Sequence, residues 1–243
     1  MLIVPVTDGR RPLLAPAWHT AVLGAILVGT YFAGAWLQSR AGAGPGIAPD
    51  HRGALGVYFA AMALDWALFF FVWRFTSRSG TPLRELIGGR WSSAKDVAVD
   101  IAIAVPFWVL WTFTARLVHR LVGPSAAKSI DVLLPRTVLE EAVWILVCLT
   151  AGFCEEVIFR GYLQKQLHAL TGSAAAAVVL QAVAFGIGHG YQGVKNVAVI
   201  AVLGLLYGLL ALWRRSTRPG MLAHAWSDAY GGLRMSFLSR LFS

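Results

Sequence analysis

The stretch "CEEVIFRGYLQ", residues 154–164, sets Glu155, Glu156 and Arg160 in an otherwise apolar run. Further along, "FGIGHG" carries Phe185 and His189, and "HAWSDA" carries His224 and Asp228. Carboxylates and imidazoles exchange protons near neutral pH, so this set could activate water; the same donor types also bind zinc. Successive residues of an α-helix turn by about 100°, so Glu155 and Glu156 cannot share a face. Glu156 and Arg160 stand at i and i+4 with the acid first, the favoured orientation for an ion pair. A guanidinium in low dielectric needs such a partner. Glu156 therefore reads as the charge partner of Arg160, and Glu155 as the carboxylate left to serve as a general base. The same spacing puts Phe185 with His189, and His224 with Asp228, on one helical face each.

These side chains need elements to hold them, and the composition says which. Of the 243 residues, 57% are hydrophobic and 14% charged, where a soluble domain carries charge on about a quarter. The apolar residues come in blocks near the roughly 20 residues that cross a bilayer as helix. Seven spans are expected, at 18–38, 53–74, 97–118, 137–158, 174–190, 195–213 and 219–238. A half-helix within Arg116–Arg136 would bring the number to about seven to eight. The fold class is all-α, a polytopic membrane helical bundle read as a single domain, 1–243, with catalytic core helices over 137–232. The first span is too long for the apolar region of a secretory signal, about 7–15 residues.

The net charge of +9 does not point to nucleic acid, because the basic residues bracket the apolar blocks, as loops facing anionic lipid do. Arg74, Arg78, Arg84, Arg90 and Lys95 against Glu85 mark the loop after the second span as cytoplasmic. Counting on, Lys165 and the "WRRSTR" run also fall inside. Cys148 and Cys154, six positions apart on one helix, are separated by about 9 Å of rise and cannot bridge. Asp65 is the clear mid-span acid of the first three spans, whereas the last four concentrate the ionisable residues. Each such charge costs about 2.5–3.5 kcal/mol at mid-bilayer, so the concentration implies a polar cavity within the bundle. Glu140 and Glu141, at the start of the fourth span without an arginine at the matching position, read as capping or interface residues. Gly186, Gly188 and Gly190 allow close helix approach beside His189.

The ordered set "EEVIFR", "FGIGH" and "HAWSD" on successive helices resembles the CAAX prenyl protease and bacteriocin-processing family of intramembrane proteases, over about residues 137–232. The resemblance implies an intramembrane endopeptidase in which Glu155 and His189 activate water. His224 and Asp228 would stabilise the oxyanion or bind metal, and Glu156 with Arg160 and Phe185 would support the site. Several family members have asparagine at the position of Asp228. An amide can donate to an oxyanion and an ionised aspartate cannot, so Asp228 suits a metal or the orienting of His224. Glu155, His189, His224 and Asp228 are the candidate ligands for zinc. A metal-free site is preferred, because Glu155 cannot serve both as tight ligand and base and no His-Glu-x-x-His pair is present. The expected partners are the bilayer and a membrane-associated peptide or protein substrate, with no nucleic acid. Arginine outnumbering lysine, with abundant alanine and glycine, suggests a GC-rich bacterial genome and hence the bacterial inner membrane. The competing classes are a catalytically silent scaffold or chaperone, which need not keep both histidines and a free glutamate, and a small-solute transporter, for which no repeated half is found.

Overall fold

Backbone amides find no water within a bilayer, so a spanning run closes its hydrogen bonds within itself as a helix. The computed structural model describes residues 12–41, 53–123 and 134–241 and contains no strand among them. Its helices are α1 (Ala17–Ala41), α2 (Ala54–Arg78), the short α3 (Leu83–Ile87), α4 (Ala94–Val122) and α5 (Val138–Glu155). A π-helical stretch, Glu156–Leu163, continues α5 without a break into α6 (Gln164–Thr171). Then follow α7 (Ala174–Gly188), a single 3₁₀ turn (Gly190–Gln192), α8 (Val194–Arg214) and α9 (Arg218–Leu241).

Every expected span falls on a helix, and the protein is a multi-pass membrane bundle. Four helices are long and apolar enough to cross a membrane: α2, α4, the continuous Val138–Thr171 rod and α8. Shorter apolar helical stretches cover Ala17–Ala33 and Ala174–Gly188. The half-helix expected within Arg116–Arg136 falls in part on residues 124–133, outside the described residues. The fourth span differs from expectation, since its helix runs to Thr171 instead of ending near residue 158. Hydropathy falls off after Leu163, where "QKQLH" begins, while the helix does not.

The Val138–Thr171 rod is the inner helix. Half of its most apolar window is buried, against 17% for α2 and for α4. It begins on a capping box in which Thr137 Oγ1 accepts from the Glu140 amide and Glu140 Oε2 accepts from the Thr137 amide, so Glu140 is a cap, as the sequence indicated. Around the rod pack α2, α9 and α7; α8 packs on α7, and α4 lies against α8 and α9. The core includes Leu23, Leu27, Phe69, Val72, Val157, Ile158, Phe159, Tyr162 and Phe185. Outward, Phe59, Phe70, Phe113, Leu121 and Leu149 stand exposed, a surface that suits lipid and not water. Cys148 and Cys154 are both buried and free.

Gly152 lies at a close backbone contact between the rod and α9. A Cβ there would lie 2.9 Å from both the Met221 carbonyl oxygen and the Ala225 amide nitrogen. Glycine lets the two backbones touch one turn before the glutamate pair, as small residues do between membrane helices.

Candidate active site

Glu156 and Arg160 lie in the middle of a helix, wholly buried at 0% and 1% exposure, and not at a membrane edge where long side chains snorkel. All eight residues of the π stretch are buried. Such widened turns are rare and gather at functional sites.

The ion pair read from the spacing forms, with Arg160 Nη1 2.9 Å from Glu156 Oε1. Arg160 Nη2 also donates to the Gly204 carbonyl at 3.4 Å. Its guanidinium lies 4.2 Å from the Phe185 ring centroid and 5.0 Å from that of Tyr207, so aromatic faces supply cation–π support on top of the carboxylate. Phe185 therefore touches the arginine as well as His189.

Glu156 has a second partner that helix periodicity alone cannot show. Its Oε1 accepts from His224 Nδ1 at 3.2 Å. One carboxylate thus holds Arg160 on its own helix and His224 on α9. Gly220 makes room for it: a Cβ at that position would sit 2.8 Å from Glu156 Oε2. With Nδ1 committed to Glu156, His224 turns Nε2 toward Asp228 Oδ2 at 3.5 Å and Glu155 Oε2 at 3.6 Å. Both facing atoms are carboxylate oxygens. A proton on Nε2 or on one of the carboxyls is what makes these approaches attractive.

His189 is fixed through its other nitrogen. Nδ1 donates to the Phe185 carbonyl at 2.8 Å, which assigns the lone pair to Nε2. That atom lies 3.9 Å from Glu155 Oε1, beyond direct hydrogen bonding and within reach of one bridging oxygen. Glu155 thus stands between the two histidines. The side chains of Glu155 and His189 are 15% and 16% exposed and that of Asp228 is 40% exposed, so the constellation borders an opening and is not sealed.

Glu155, His189, His224 and Asp228 come together, and Glu156, Arg160 and Phe185 stand immediately behind them. Asp65 of α2 also belongs here, within electrostatic range of Glu155, His224 and Asp228. The sequence marks Asp65 as a mid-span acid without tying it to the site. Two residues had no such mark. Tyr207 packs on His224 with ring centroids 5.3 Å apart. Tyr191, two positions after His189, lies 6.0 Å from its ring and interacts electrostatically with Glu155 and Asp228. The spacing of "GLLYG", residues 204–208, a small-residue pair four apart, was the available signal for Tyr207 at a helix contact.

The donor types of the four candidate ligands suit zinc. Among the described residues, however, no group of three or more His, Cys, Asp or Glu side chains is arranged to hold a metal ion. As placed, the four do not form that cage.

Residues 137–230 match a protein family described as type II CAAX prenyl endopeptidase Rce1-like. Over this segment the chain is similar to the Rce1-like family. The match begins at the N-cap of α5 and runs through α9 past Asp228, so the Rce1-like segment contains every residue of the cluster except Asp65. That description is of a CAAX prenyl endopeptidase. No curated protein and no solved structure matches the chain.

Proposed function

We propose that the protein is an intramembrane endopeptidase that hydrolyses a peptide bond of a membrane-associated substrate with a water held by Glu155 and His189. The observation that supports this most is the position of Glu155 between two imidazoles whose other nitrogens are already committed. Water donates one hydrogen bond to Glu155 Oε1 and the other to the lone pair on His189 Nε2. Glu155 takes the proton as the water oxygen attacks the scissile carbonyl carbon, and the carbonyl π electrons move to oxygen. His224, carrying a proton on Nε2, donates to that oxyanion. Collapse re-forms the carbonyl, breaks the carbon–nitrogen bond and returns the Glu155 proton to the leaving amine. Glu156 orients His224 through Nδ1, and Asp228 faces Nε2 and keeps its proton directed into the cleft.

On this reading the chemistry uses proton donors and acceptors of the chain itself, and the bacterial inner membrane is its setting. The test compares N-terminal and C-terminal peptide fragments of membrane proteins in cells with wild type, with Glu155→Gln and without the protein. Fragments present with wild type and missing from both other strains support a peptidase. Fragment sets identical in all three strains would leave a silent scaffold as the better reading.

A further inference from the structure

A polar cavity lies on the side of the bundle carrying α3, with a volume of about 850 Å³. Its lining includes Arg84, Lys165, His168 and Arg215, with Arg160 and Gln164 at its buried end. The acid on its lining is Glu85, which interacts electrostatically with Lys165. Lys165 Nζ also donates to the Glu85 and Leu86 carbonyls, so its stem is anchored.

The basic residues nearby divide into two groups. Arg214 and Arg218 turn to the buried Asp100, at 3.8 and 3.1 Å, beside Trp91, whose Nε1 donates to Asp100 at 2.8 Å. Arg84 and Arg215 line the cavity and have no carboxylate partner among the described residues. Arg215 caps α8 with φ at +51°, a conformation that glycine normally supplies at this position. An arginine stands there instead, on the lining of the cavity. Ala174, the first residue of α7, also lines it, so the positive end of a 15-residue helix faces the same space. Two buried atoms at the inner end lack hydrogen-bond partners: Arg160 Nε, on a side chain 1% exposed, and Gln164 Oε1, on one 6% exposed.

We infer that this cavity binds a phosphate-bearing anion, held between Arg84 and Arg215 and reaching toward Arg160. A phosphate fits paired guanidiniums through its oxygens, and Gln164 Oε1 can accept from a hydroxyl carried by the same ligand. The positive loop charge puts the cavity on the cytoplasmic side, where the chemistry is available both as anionic lipid headgroup and as soluble phosphate. Arg160 joins this cavity to the Glu156–His224 pair on its far side, but binding itself does not depend on the peptidase reading.

The experiment uses full-length protein in neutral phosphatidylcholine nanodiscs and the double variant Arg84→Gln/Arg215→Gln. Both arginines are exposed, and their side chains make no hydrogen bond or ion pair among the described residues; the Arg84 carbonyl, which accepts from the Gly88 and Gly89 amides, is kept by the substitution. Affinity is measured for inorganic phosphate in solution and for phosphatidylglycerol added to the discs, with thermal stability as a folding control. Saturable binding in wild type, at least tenfold weaker in the folded variant and weakened by salt, is the expected result. Binding of phosphatidylglycerol alone identifies a headgroup site, and binding of phosphate alone a soluble ligand. Equal binding in wild type and variant, or none of either probe, overturns the inference.

Discussion

Glu155→Gln and Glu156→Gln make the same change at adjacent positions, yet only the second should cost stability. Glu156 is fully buried and its Oε1 serves Arg160 at 2.9 Å and His224 at 3.2 Å. Removing one partner of a buried ion pair costs about 3–5 kcal/mol, because the other charge is stranded. The Gln carbonyl can still accept from one of the two donors, which places the loss at the lower end, near 3 kcal/mol. The rings of Phe185 and Tyr207 flank Arg160 before and after the change and so do not offset it. Glu155 approaches the histidines only at 3.6 and 3.9 Å, too far for strong hydrogen bonds. Neutralising it should move stability by less than about 1 kcal/mol.

The two readouts are unfolding in detergent, by heat or by titrated denaturant, and the membrane-protein fragments produced in cells. Glu155→Gln should unfold like wild type and produce no fragments. Glu156→Gln should unfold earlier and also lose cleavage, because His224 loses the charged acceptor that orients Nδ1. If Glu155→Gln were the less stable of the two, or if it still cleaved, the division of labour between the glutamates would be refuted.

Gly220→Ala places a methyl 2.8 Å from Glu156 Oε2; the displaced carboxylate should lower stability by about 1–3 kcal/mol and reduce cleavage, with wild-type behaviour counting against the Glu156 bridge. Asp228→Asn should keep substantial fragment production, since an amide still faces His224 Nε2 and can donate to the oxyanion, whereas complete loss would point to a required charge. Elemental analysis of purified active protein with a chelator titration should show turnover that survives metal removal; stoichiometric zinc whose removal stops turnover and whose return restores it would defeat the metal-free mechanism. Cysteines introduced at Ser79 and Arg215, both exposed, should label from the cytoplasmic side of intact cells only, and outside labelling at both would invert the topology.

The parts of this molecule that follow helix periodicity were legible from residue order. The Glu156–Arg160 pair, the shared face of Phe185 and His189, the cap at Glu140 and the free cysteines all depend on neighbours within two turns. The π stretch over Glu156–Leu163 was not legible, because its residues have no composition distinct from an α-helical run; tertiary burial on all sides selects the wider turn. Nor does any local pattern place His224 against Glu156, a contact spanning 68 residues. Its trace is Gly220, whose missing side chain only has meaning once α9 is laid on the rod. In the sequence the loop around α3 stands out as charge that sets topology. It also docks, with Leu86 fully buried and the Ile87 carbonyl accepting from the Thr217 amide at 2.9 Å, because the apolar residues of "PLRELI" match the ends of the site helices.

The charge inventory of the cluster connects its architecture to its chemistry. Glu155, Glu156, Asp65 and Asp228 face one guanidinium, that of Arg160, and two imidazoles. His189 gives Nδ1–H to a carbonyl and keeps Nε2 as a lone pair for water, which leaves His224 as the imidazole able to carry charge. Four carboxyl groups thus gather around one guanidinium and one chargeable imidazole, a crowding of acid that low dielectric penalises. Glu156 is fixed between Arg160 and His224. Glu155 and Asp228 border the opening. In the proposed mechanism a proton moves from water to a leaving amine through Glu155, and with Glu156 held in the buried ion pair, Glu155 is the glutamate on the side of the cluster that borders the opening.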